Sequence, residues 1–135
     1  MMSTFRSNYH GFPEDCPGRE KCGWLGDAQV VCNTGMMNYR MQASYEKYLH
    51  DIRTEVEMYG VWQMIAPGMR GCGEATPLWG CAQVLIPYWM YRYYGDRAVV
   101  DDNWDMMCRW VEHEAADAKD FIITRGLGDL SLIHI

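Results

Sequence analysis

The sequence predicts an all-α fold. Apolar residues recur at steps of three and four along four segments, and no segment shows the strict alternation of a half-buried strand. Glycine, proline and aspartate cluster between those segments, where helices start and stop. With 135 residues, 49% of them apolar, the chain can bury one core.

The first predicted helix begins near Asp27, which can act as an N-cap, and runs through AQVVCNT until Gly35 allows a break. In the second, Met41, Tyr45, Tyr48, Leu49, Ile52 and Val56 form one stripe, while Gln42, Glu46, Lys47, Asp51 and Arg53 fill the wet face. Gly60 ends it. Val61 to Pro77 contains Pro67, Gly68, Gly71 and Gly73, which break any period and predict a long loop.

A third helix is predicted from about Leu78 to Tyr94, with Ala82, Leu85, Ile86, Trp89, Met90 and Tyr93 on one stripe and much of the remainder apolar. This helix should be largely enclosed. Pro87 removes one backbone donor, but the periodicity continues beyond it, which predicts a kink instead of a stop. Gly95 and Asp96 form the stop. Asp101 or Asp102 is expected to cap a fourth helix that carries Trp104, Met107, Cys108 and Val111 on one face. Short connections between consecutive helices favour antiparallel hairpins.

The net charge of -6 and pI near 5.1 oppose binding to a phosphate backbone, so nucleic acid is not an expected partner. No run of about 18 apolar residues marks a membrane span. The six cysteines, Cys16, Cys22, Cys32, Cys72, Cys81 and Cys108, contain no CxxC pair, and three of them fall in helical apolar patterns as small hydrophobes. His10, His50, His113 and His134 show no zinc-ligand spacing, so no metal or cofactor is expected.

One stretch carries chemistry. EDCPGREKCGWLGDAQ, Glu14 to Gln29, holds Asp15, Glu20 and Asp27 beside Arg19 and Trp24, punctuated by Gly18, Gly23 and Gly26. Carboxylates supply the acid and base of glycoside hydrolysis and bind sugar hydroxyls, and an indole packs on the apolar face of a ring. The same residues equally describe a turn at Pro17-Gly18, an Arg19 ion pair and a tryptophan anchored in the core.

FPEDCPGREKCGWLGDAQV resembles the signature that opens the catalytic domain of bacterial alpha-L-rhamnosidases, glycoside hydrolase family 78. VWQMIAP, PLWGCAQVLIPYWMYRYYGD and NWDMMCRWVEHE follow in the family's order. Two positions depart from it: Cys81 stands where many members carry aspartate, and Gly18 replaces a common glutamine.

The resemblance implies an (alpha/alpha)6 barrel of six helical hairpins, of which residues 1–129 would be an incomplete first part. Leu130 to Ile135, LSLIHI, would be a non-native tail. The implied reaction is hydrolysis of a terminal alpha-L-rhamnosyl residue with inversion. Glu20 matches the general acid, Asp15, Asp27 and Arg19 match hydroxyl-binding positions, and Trp24 and Trp79 are candidates for packing on the sugar ring. The general base is expected from a later hairpin; Glu74 in the glycine-rich loop is a weaker substitute, since loop glutamates are ordinarily solvated. A different sugar hydrolase on the same barrel, or a non-catalytic helical carbohydrate-binding or structural module, remains as an alternative reading.

Overall fold

A computed structural model describes residues 2–68 and 72–126. The elements are α1 (Met2–Ser7), α2 (Leu25–Asn38), α3 (Gln42–Tyr59), α4 (Pro77–Gly80), α5 (Ala82–Tyr94) and α6 (Arg97–Asp117). Among the described residues there is no strand, only isolated bridges. The expected non-native tail lies outside the described residues.

α3 follows its periodicity. Tyr45, Tyr48, Leu49, Ile52 and Val56 are all buried, and Gly60 closes the helix in the left-handed conformation, φ 72°. α2 departs from expectation at both ends. Trp24, with extended backbone, occupies the N-cap, and Asp27 lies inside the first turn, where its acidic side chain still complements the helix dipole. Gly35 does not break the helix. A Cβ there would meet the Phe5 ring at 2.7 Å, so this glycine serves close packing of α1 on α2.

The predicted third helix is divided. Pro77 opens α4 at the first-turn position that suits proline, and Cys81 makes a tight turn into α5, which continues through Pro87 to Gly95. Ala82, Gln83, Ile86, Pro87 and Met90 are buried, whereas Tyr88, Tyr91 and Tyr93 are exposed, so the helix is less enclosed than its composition predicts.

α6 begins at Arg97, earlier than Asp101 or Asp102, because Asp96 caps it by accepting from the Val99 amide at 3.2 Å. Its buried face is also different: Val99, Asn103, Met106, Trp110 and Glu114 point inward, while Trp104 and Val111 face out. Two polar residues hide in that stripe because each has a partner. Asn103 Nδ2 donates to the Val99 carbonyl and its Oδ1 accepts from Arg53, and Arg125 donates to Glu114 at 2.6 Å. Hydropathy alone ranks the exposed Trp104 and Val111 above them.

α2 packs on α5 and α4, and α3 on α5 and α6. α5 and α6, joined by Gly95 and Asp96, pack as an antiparallel hairpin. Gly80 makes room for Trp110, whose ring would lie 2.0 Å from a Cβ at that position. Cys32 is fully buried and its thiol is pushed up to about 12 by desolvation, as fits a core hydrophobe, and all six cysteines are free. Among the described residues, no helix is long and apolar enough to cross a membrane.

Candidate active site

The segment before α2 folds as a closed loop. The Cys16 carbonyl accepts from the amides of Arg19 at 2.8 Å and Glu20 at 2.9 Å, and the Asp15 amide donates to the Cys22 carbonyl at 3.1 Å. Cys16 and Lys21 adopt left-handed backbone, φ 47° and 54°. For side chains with a Cβ this is an uncommon conformation, held here by the surrounding hydrogen bonds.

The loop is seated on the segment that follows Trp62. Leu25 N donates to the Met64 carbonyl at 3.0 Å and Ala66 N to the Gly23 carbonyl at 2.9 Å, while the buried Tyr48 hydroxyl also donates to the Gly23 carbonyl at 3.1 Å. Gly23 is obligatory at this approach: a Cβ would lie 1.9 Å from the Ala66 oxygen. Trp24 is thereby held on both sides.

Its indole Nε1 donates to Glu20 Oε2 at 2.9 Å, and Arg19 Nη2 donates to Glu20 Oε1 at 2.9 Å. Both oxygens of Glu20 are occupied. The Glu20 side chain keeps 21% of its surface in solvent, against 81% for Arg19, so the guanidinium is the partner free to leave.

Asp15 and Asp27 line one side of a groove of about 300 Å³ between α1 and α2, with Phe5, Tyr9, Pro13 and Val31 on its apolar walls. Glu20 and Trp24 are not among its lining residues. Asp27 is pushed up to about 6, first by desolvation and then by the charge of Asp15, with a smaller contribution from Glu20. The three carboxyls of the motif are therefore within electrostatic reach of one another.

That raised value has a sign in stability. Between about pH 4 and 6 the folded state binds a proton on Asp27 that the unfolded chain has released, so the cost of Asp27 is present above pH 6 and fades as pH falls through this window. Asp27→Asn should therefore raise the melting temperature at pH 8 and leave it nearly unchanged at pH 4. Thermal melts at the two values check this; an equal effect at both would refute it.

Trp79 lies in the core. It is buried, 5% exposed, with its indole beneath Gly26, where a Cβ would lie 3.0 Å from Nε1. The ring floors the first turn of α2. Glu74, at 42% side-chain exposure, lies 3.1 Å from His113 Nε2 at the α6 side of its loop.

Asp15, Cys16 and Glu20 bring possible ligand atoms within 4.8 Å of one another. The Cys16 thiol donates to Asp15 Oδ2 at 3.2 Å, which raises its pKa, and Arg19 and Trp24 already donate to Glu20, so a cation would have to displace these contacts. Sequence reasoning missed the seating of the loop on Met64 to Ala66, because a bridge across about forty residues leaves no local pattern.

The model of the bacterial alpha-L-rhamnosidase six-hairpin glycosidase domain matches residues 1–132. The chain belongs to this family. It is similar to an alpha-L-rhamnosidase of Formosa agariphila, with 45% identity over 77% of this chain and 12% of that protein. Among solved structures, alpha-L-rhamnosidase from Dictyoglumus thermophilum superposes with TM-score 0.82 at 32% identity, covering 87% of this chain and 13% of the other. A Streptomyces avermitilis alpha-L-rhamnosidase complexed with L-rhamnose gives TM-score 0.84 at 27% identity over 96% of this chain and 14% of that structure. The chain thus spans about an eighth of the length of the family members it matches.

Proposed function

We propose that the full-length protein containing this domain hydrolyses terminal alpha-L-rhamnosyl residues from glycosides or polysaccharides with inversion at the anomeric carbon. The observation that carries this reading is Glu20, held by Trp24 and Arg19 beside Asp15 and Asp27 in a chain of the rhamnosidase family.

In this mechanism Glu20 protonates the departing glycosidic oxygen as its bond to the anomeric carbon breaks, and a water attacks the opposite face. Arg19, largely in solvent, turns from Glu20 to a sugar hydroxyl, which frees one carboxyl oxygen for the leaving group. Trp24 keeps the other oxygen aimed, so its indole positions the acid as well as offering a surface to the ring. Asp15 and Asp27 accept hydrogen bonds from further hydroxyls.

An inverting enzyme needs its general base about 6.5 to 9.5 Å from the acid. That group comes from outside these residues in this reading, so the 135-residue chain alone should show no turnover. The test is release of rhamnose from an aryl alpha-L-rhamnoside by the full-length protein, followed by NMR. Sugar formed first as the β anomer supports the proposal. No release, or the α anomer first, overturns it.

A further inference from the structure

α6 carries more apolar surface than the described residues cover. At about 100° per residue, Val99, Met106 and Trp110 fall on its inward stripe, and Trp104, Met107, Cys108 and Val111 form a second stripe, about 100° wide, beside it. Trp104 is 59% exposed and Val111 56%, with Met107 and Cys108 half-buried between them.

The remaining arc is charged. Asp101, Asp102, Asp105, Arg109 and Glu112 are all exposed on it, and the groove that α6 shares with α3 is lined by Arg53, Glu57, Asp102, Asp105 and Arg109. α3 thus meets α6 on the charged flank of the inward stripe, and the second apolar stripe lies on the opposite flank. Packing on one core takes an apolar stripe of about 100°, and α6 has roughly twice that, bounded by charge. Apolar residues scattered singly over a surface need no partner, but four on one stripe, a tryptophan among them, mark a packing face.

The length of chain outside these residues identifies what packs there. The family's domain has six hairpins, two helices to each, whereas the described residues supply six helices in all, two of them only six and four residues long. Consecutive elements are usually neighbours in space, and α6 is the second helix of its hairpin with α5. We infer that the next helical hairpin of the same domain docks on Trp104, Met107, Cys108 and Val111. Its apolar face meets this stripe, and Asp105, Arg109 and Glu112 stay in solvent at the edge of the contact. The inference rests on membership of the family and not on the proposed reaction.

The test places a photoreactive benzophenone amino acid at Trp104 of the full-length protein, or at Val111 should the first variant not fold, and maps the crosslinked peptide by mass spectrometry. The expected product is an intramolecular crosslink to the hairpin that follows α6. A crosslink to any other segment or to a second copy, or no crosslink in the folded protein, would overturn the inference. Thermal melts read the same contact. Val111→Asp should lower the melting temperature of the full-length protein by several degrees, independently of protein concentration, while Ala116→Asp, on the charged arc, should leave it within about a degree. Equal shifts in the two variants would also overturn it.

Discussion

Glu20→Gln in the full-length protein should lower kcat on rhamnosides with poor leaving groups by about 10²- to 10⁴-fold, the usual contribution of a positioned general acid. The loss should shrink sharply on substrates whose leaving group departs without a proton. Glutamine retains a carbonyl oxygen that can accept from Trp24 or Arg19, so the loop keeps one of the two contacts that hold position 20. Steady-state rates across a series of aryl rhamnosides check the prediction. Unchanged rates on the poor leaving groups would remove Glu20 as the acid and leave its contacts with Arg19 and Trp24 as structural.

Gly23→Ala should unfold the site from beneath. A Cβ 1.9 Å from the Ala66 carbonyl oxygen meets backbone, which has no rotamer by which to move aside. The new atom also attacks the place where Ala66 N and the Tyr48 hydroxyl converge on the Gly23 carbonyl. The cost should be about 3 kcal/mol, the upper part of the range for overpacking. For a chain of this size that corresponds to roughly 10 °C in melting temperature. Gly18→Ala is the control, because nothing lies within 4 Å of a Cβ there. Thermal unfolding of both variants checks the contrast, and equal melting temperatures would refute it.

α3 was readable because all its buried residues are apolar and repeat without interruption from Met41 to Val56. α6 was not, because its inward stripe includes Asn103 and Glu114, made tolerable only by Arg53 and Arg125 from distant positions. The same limit explains Trp79. Its identity suits a surface platform as well as a core, and its burial shows only once Gly26 packs upon it. The candidate site was legible as a motif from Asp15 to Asp27, while the placement of its side chains was not. Asp15 and Asp27 line the groove, and Glu20, which accepts from Trp24, does not.

The sequence by itself determined the helical class, the α3 core, the stops at Gly60 and Gly95, and the family to which the motif belongs. These are local properties: periodicity, capping and an ordered string of residue types, each readable within a few turns of chain. Tertiary structure alone decided which face of α6 is buried, why Gly23 and Gly35 must be glycine, and how Met64 to Ala66 seat Trp24. Those outcomes depend on which groups from remote segments meet in space. A buried polar atom is tolerated only where its partner arrives, and a glycine is required only where another backbone or ring approaches.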